Sequence, residues 1–370
     1  MANSYLPLRS CLLAGVATIA LMVASPDSHA EGPSPALMPF GNVWLDLEGR
    51  FAWMRGTRQP WVGRLNGLDP SSSVIGLDTI RPDREYGGRI VFGMRFSSDV
   101  DMAFAYTGLY SNQKRGSVTS GKNYNGAYIA PVLGAVRYIM GNYIYGSGYV
   151  KIRREMHIGD FEVGHHVGLG SRSTARLFGG ARIVSWRQKT DTQFDYFYDG
   201  AVPPDVGQTT EQHRSSFLGG GPRLGINGTV SVASLGRGEI LIFGNVSGSI
   251  LLGMSRTRVR TTWTLVNGAL GPDLPSLADE QSEERFRVVY NAEASLAAGY
   301  RFMLGGVRAT FRAGYRFDGW WNIVNTTGRA SAIVASQSQG NTVPSLAGQF
   351  GSKRGYLITH GPFGGLSFEF

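Results

Sequence analysis

The feature that most narrows what this chain can fold into is a two-residue alternation of apolar and polar side chains. In VRATFRAGYRF, Val307, Ala309, Phe311, Ala313, Tyr315 and Phe317 occupy every second position, with Arg308, Arg312 and Arg316 between them. On a helix a two-residue step turns about 200° and scatters both sets around the axis; on a strand it returns each set to one face. The segment reads as a strand with an oily side and a basic side.

The same pattern recurs along the chain. NVWLDLEGRFAWM sets Leu45, Leu47, Phe51 and Trp53 against Asp46, Glu48 and Arg50, and REYGGRIVFGMRF sets Tyr86, Ile90, Phe92 and Phe96 against Glu85, Arg89 and Arg95. DMAFAYTGLY carries Met102, Phe104, Tyr106 and Tyr110 on one face. DFEVGHHVGL places Asp160 and Glu162, and ARLFGGARI places Arg176 and Arg182, opposite apolar rows. FLGGGPRLGING does so with Arg223, EILIFGNVSGSILLGM with Asn245, Ser247 and Ser249, and YNAEASLAAGYRF with Glu293 and Arg301. THGPFGGLSFEF closes the set with Leu366, Phe368 and Phe370 opposite Glu369, which makes ten strands. A further hairpin within 111–156, from AYIAPVLGAVRYIM and GYVKIRREM, would make twelve.

The connections alternate in length: SSDV, GSRST and Met303-Leu304-Gly305 are short, whereas 189–215, 257–285 and 322–355 are long. Short turns at one end and long loops at the other are the pattern of an all-β, antiparallel, up-and-down transmembrane β-barrel, with short periplasmic turns and long extracellular loops. Glycine at 52 of 370 residues, aromatics at 11 % and charged residues at only 17 % suit strands and turns better than helices. The segments have the 9–11 residues that a tilted strand needs to cross a bilayer, and closure pairs every backbone polar group, as hydrocarbon demands. Trp53, Phe96, Phe302, Phe317, Trp320 and Trp321 fall near strand ends, where interfacial girdles sit. The arginines then face a wet lumen, because each would cost about 2–4 kcal/mol in lipid at the midplane.

Residues 1–30 read as a cleaved secretory signal peptide: Arg9, an apolar run from Cys11 to Ala24, and a small-x-small site at Ser28-His29-Ala30. Residues 31–370 read as a single barrel domain. Cleavage removes Cys11, the one cysteine, so the mature domain is expected to lack disulfides and thiol chemistry. The formal charge of +9 would suggest nucleic acid in a cytosolic chain; in an exported one no nucleic-acid partner is expected.

In that order, DFEVGHHVGLGSRSTARLFGGARI, FLGGGPRLGI, AGYRFDGWWN and HGPFGGLSFEF resemble the motifs of the Legionella major outer membrane protein family of pore-forming barrels. The likeness is strongest over 160–370 and looser over the first third. It implies a porin-like role in a Gram-negative outer membrane. The terminal Phe370, with apolar residues alternating before it, is similar to the signature by which the barrel-assembly machinery recognises such chains. The family's disulfide cross-linking of subunits has no counterpart in a cysteine-free mature chain, and a homo-oligomer stays open on other grounds.

Other motifs weigh less. GSVTSGKN is one residue from a phosphate-binding loop, but Asn123 stands where a hydroxyl must reach Mg²⁺ and no helix signal follows. His165 and His166 point to opposite faces of a strand and cannot share an ion in regular geometry. Asp191, Asp195, Asp199 and His213 fall in a long connection and lack a catalytic fingerprint, so neither an enzyme nor a cofactor nor a metal is expected.

The functional expectation rests on the lumen: Arg50, Arg89, Arg95, Arg176, Arg182, Arg223, Arg301, Arg308, Arg312 and Arg316, with Asp46, Glu48, Glu85, Asp160, Glu162 and Glu293 among them. Charged rings set selectivity in pores, and an excess of arginine points to a channel for small, anionic solutes. The competing reading is a closed structural barrel whose long extracellular loops bind a partner, because barrels of about eight strands are filled by side chains and open channels belong to wider ones. Outer-membrane lipid and lipopolysaccharide are the expected surroundings.

Overall fold

The computed structural model describes residues 41–65, 74–97, 99–119, 128–131, 143–170, 172–198, 206–266, 277–338 and 341–370. The expected signal peptide with Cys11, and residues 120–123 of GSVTSGKN, lie outside them. The strands are β1 (Gly41–Gly56), β2 (Gln59–Leu65), β3 (Val74–Ile80), β4 (Arg84–Arg95), β5 (Val100–Ser111), β6 (Lys114–Thr119) and β7 (Tyr128–Pro131). They continue as β8 (Tyr143–Gly168), β9 (Ser173–Tyr198), β10 (Val206–Leu235), β11 (Gly238–Val266), β12 (Leu277–Leu304), β13 (Val307–Ser338) and β14 (Asn341–Glu369).

Ten of these close on themselves. The order β5-β4-β1-β14-β13-β12-β11-β10-β9-β8 is antiparallel throughout, and β5 pairs back onto β8. Closure leaves no unpaired edge around the apolar wall, as a bilayer requires. The region 111–156 does not insert two more staves. It supplies β6, which pairs with β8 beyond the end of β5, and β7, which joins β2 and β3 in a separate three-stranded sheet.

Direct partners also give the stagger. Stepping from Arg308 through Glu369, Trp44, Gly93, Ala103, Glu162, Gly180, Arg223, Ser249 and Asn291 returns to β13 at Trp320, twelve residues farther along. Ten strands with that shear tilt about 40° from the axis, so each residue rises about 2.5 Å along it.

The expected faces hold. Leu177, Ile183, Leu218, Leu224, Ile250, Leu252, Leu296 and Phe311 are exposed on the outer wall, while Asp160, Arg182, Arg223 and Glu293 are buried within. Two expectations need correction. The long connections are largely not loops: 189–215, 257–285 and 322–355 are mostly strand, since β9 to β14 run 26 to 32 residues each. Their outer halves carry the barrel wall about 30 Å past the apolar band. The second correction is Trp320, which is no girdle residue: its side chain turns inward, 1 % exposed, while neighbouring Trp321 faces out.

Trp320 belongs to an apolar layer that crosses the lumen. Met54, Leu109, Met156, Val184, Trp186, Phe217, Leu251, Val289, Ile323 and Leu357 complete most of it. A β-bulge between Trp321 and Val324, with Asn322 at φ 66°, shifts the inward parity of β13 so that Ile323 and Asn325 face the same interior as Trp320. The tight turns at the other end need glycine at Gly236 (φ 59°) and Gly305 (φ 61°), conformations a Cβ disfavours.

Candidate functional site

The strands aim their polar rows at one another across the lumen. Asp160 of β8 accepts from Arg182 Nε (2.6 Å) and Nη2 (2.9 Å) and from Arg223 Nη1. Glu162 accepts from Arg223 Nη1 at 2.8 Å and Arg176 Nη1 at 3.0 Å. On the far side, Glu293 of β12 takes Arg223 Nη2 at 3.0 Å and is also bonded by Arg182, which reaches Asn291 Oδ1. Arg89 lies 3.7 Å from Asp160 and 3.8 Å from Glu162. Arginines on β9 and β10 therefore tie β8 to β12 through the middle of the barrel.

A second cluster braces the other half. Arg50 of β1 holds Asp318 of β13 and, at 2.7 Å, Glu85 of β4, with Thr359 at 2.9 Å. Arg316 grips Glu48 with two nitrogens, and Arg312 lies 3.5 Å from Asp46. Forked guanidinium–carboxylate pairs are the strongest and most directional of their kind. Planar faces add to this: Arg182 stacks 5.7 Å over Trp320, Arg223 5.3 Å over Phe178 and Arg316 5.1 Å over Phe363.

All the sequence-assigned lumen residues have inward parity, but they do not form one ring. Arg50, Arg89, Arg176, Arg182, Arg223, Arg312 and Arg316, together with Asp46, Glu48, Asp160, Glu162 and Glu293, belong to the ion-paired clusters. Arg308 sits apart at the periplasmic rim, half exposed and 2.9 Å from Glu369. Arg95 and Arg301 have buried Nε atoms without a hydrogen-bond partner among the described residues. Two carboxylates complete the set. Asp101, 0 % exposed, receives Arg176 Nη2 at 2.6 Å and faces His166 Nε2 at 2.5 Å, and Asp318 receives Arg50. Asp101 shares the parity of Ala103 and Ala105, which hid it among small apolar residues; Asp318 follows the point where apolar alternation ends.

Seven arginines thus meet eight carboxylates in these clusters, once Glu85, Asp101 and Asp318 are included. The arginine excess read from the sequence is neutralised at mid-lumen. The free space among Arg50, Arg89, Arg182, Glu293, Arg316, Asp318 and Trp320 is about 10 Å³, roughly the least that holds one water.

The catalytic candidates do not converge. Asp191 and Asp195 face outward, near Lys189 and Ser147, whereas His213 is fully buried on the inner face; Asp199 lies outside the described residues. His165 is exposed while His166 turns in to Asp101, on opposite faces as expected.

Several solved structures match the chain at low similarity. The outer membrane protease OmpT from Escherichia coli is 9 % identical, covers 92 % of this chain and 99 % of its own, with a TM-score of 0.37. A FadL homologue from Pseudomonas aeruginosa is 9 % identical (89 % and 90 % covered, TM-score 0.23), and the P. putida toluene transporter TodX is 7 % identical (89 % of each, TM-score 0.23). No curated relative matches the chain in sequence. The model of the Legionella pneumophila major outer membrane protein precursor matches residues 40–369. With ten strands closed around an ion-paired lumen and that match across the barrel, the chain belongs to the Legionella major outer membrane protein family, an outer-membrane β-barrel of Gram-negative bacteria.

Proposed function

We propose that the resting barrel is closed, and that the protein acts through its wall and its long extracellular extension rather than as a permanently open pore. The observation that carries this is the mid-lumen brace. Arg182 and Arg223, each 1 % exposed, fill the section between β8 and β12, and the apolar layer around Trp186, Phe217 and Trp320 lies above them. The free space among Arg50, Arg89, Arg182, Glu293, Arg316, Asp318 and Trp320, about 10 Å³, has room for roughly one water and not for a hydrated ion. Removing one partner of such a buried pair strands a charge, which keeps the brace in place. This reading assigns no catalysis.

A second reading, a porin-like channel for small anions, is favoured by the lower lumen, where Arg95 and Arg301 stand outside the ion-paired clusters and would draw anions in. It requires the brace to part. Planar-bilayer recording separates the two: the closed barrel gives no discrete steps at any voltage the bilayer survives. Steps in the unmodified protein would overturn closure. A reversal potential moved by Arg95→Glu with Arg301→Glu would then establish anion selection.

A further inference from the structure

Just above the apolar band, the outward face of neighbouring strands turns basic. Arg153 of β8 stands directly opposite Lys189 of β9, Lys189 opposite Arg214 of β10, and Arg214 opposite Arg258 of β11. Beside this row, Arg115 of β6 stands opposite Lys151 of β8. Arg115, Lys151, Arg153, Arg214 and Arg258 are exposed and Lys189 is half-buried. Like charges set directly opposite destabilise an antiparallel pair. Folding alone has no use for four in succession.

The nearby acids do not cancel the row. Asp191 takes Lys189 at 3.1 Å, Glu280 takes Arg258 at 3.0 Å, and Glu284 takes Arg256 at 2.5 Å, while Glu155 stands opposite Arg187. Among the described residues, Arg115, Lys151, Arg153 and Arg214 have no carboxylate within ion-pair distance.

Height identifies what such a row would meet. The last large apolar side chains on the outer wall of β10 and β11 are Leu218 and Met254. Arg214 and Arg258 lie four residues beyond them, about 10 Å along the axis, in the headgroup layer above the hydrocarbon. The glycine turns are at the opposite, periplasmic end, so this layer is the outer leaflet.

We propose that the Arg153–Lys189–Arg214–Arg258 row is a docking surface for a phosphorylated glycolipid of the outer leaflet, of the lipopolysaccharide type. Guanidiniums take phosphate oxygens in forked pairs, and the acyl chains run down the wall over Leu218, Leu252 and Met254. Three strand spacings make the row about 14 Å wide, room for a headgroup with more than one phosphate. A polyanion there relieves the repulsion that the bare wall carries. The proposal does not depend on whether the lumen conducts.

The test uses the folded protein in detergent micelles, with lipid retention read by native mass spectrometry. The probes are diphosphorylated lipid A, its monophosphorylated form and phosphatidylethanolamine. Retention is expected in that order, and R153Q/K189Q/R214Q/R258Q should weaken lipid A binding at least about tenfold, since about 1.4 kcal/mol corresponds to a factor of ten. Equal retention by the quadruple variant, or no preference over phosphatidylethanolamine, overturns the proposal. Displacement by inorganic phosphate at matched phosphate concentration also overturns it, because the site would then bind free phosphate. Melting without lipid is the folding control: the variant should be as stable as the parent or more so, and a lower Tm would contradict the self-repelling row.

Discussion

Arg182 shows at the scale of one residue how the interior is held. Its guanidinium, 1 % exposed, serves Asp160, Asn291 and Glu293. Arg182→Met leaves two carboxylates buried without it, and we expect a loss of about 3–5 kcal/mol in urea unfolding of the micellar protein. Adding Glu293→Gln should restore part of that loss, because the groups act as a unit; a single-variant loss below about 1 kcal/mol would mean the brace is not structural. Arg182 was legible from parity alone. Its role was not, because a charge on the inner face of a strand reads the same whether it lines water or meets a carboxylate on a strand a hundred residues away.

His213 supplies a pH signature from the extension above the apolar band. It is 0 % exposed, neither ring nitrogen has a hydrogen-bond partner among the described residues, and burial pushes its pKa down to about 4. The unfolded chain, with an ordinary histidine near 6.5, takes up a proton before the folded one does. Stability is therefore complete above about pH 6.5 and falls as pH drops toward 4, by on the order of 3 kcal/mol. Amide exchange in the outer halves of β9, β10 and β11 should accelerate over that window, and His213→Gln should flatten the dependence. Unchanged exchange in the parent between those pH values would refute a neutral buried imidazole.

At the scale of the strand, apolar alternation marks only the part of a strand that meets lipid. In β10, Leu218, Leu224 and Ile226 alternate with inward residues, but farther out Thr209, Glu211, His213 and Ser215 face inward while Thr210, Gln212, Arg214 and Ser216 face outward. Both faces are polar there, so the two-residue signal vanishes although the ladder continues unbroken to Val206. That is why segments that look like loops are strands. Bulges hide parity in the same way: beyond Asn322 an inward residue of β13 has an odd number instead of an even one. The turns were legible through their glycines. Gly236→Ala and Gly305→Ala should each cost about 1–2 kcal/mol in unfolding measurements, while Gly228→Ala, where an added Cβ meets nothing within 4 Å and φ is not left-handed, should be neutral or slightly stabilising. Equal effects at all three sites would remove the conformational argument.

For the whole molecule, ten strands staggered by twelve residues make a barrel slightly wider than the eight-stranded kind that side chains fill. Paired arginines and carboxylates, backed by Trp186, Phe217 and Trp320, fill the difference. Closure and the lipid-facing wall could be read from periodicity and connection parity, whereas ten strands against twelve stayed open because 111–156 carries further apolar segments. Whether the lumen is open could not, because the answer depends on which charges meet across it. Thiol accessibility tests closure most directly, and the sequence has no cysteine after Cys11 to interfere. Ser247→Cys replaces a side chain 5 % exposed between Arg223 and Glu293, and Ser234→Cys marks the exposed end of β10 beside its turn. In sealed vesicles treated from either side with a hydrophilic maleimide, a closed barrel leaves position 247 unmodified while position 234 reacts from the periplasmic side; modification of 247 at the rate of 234 would contradict it.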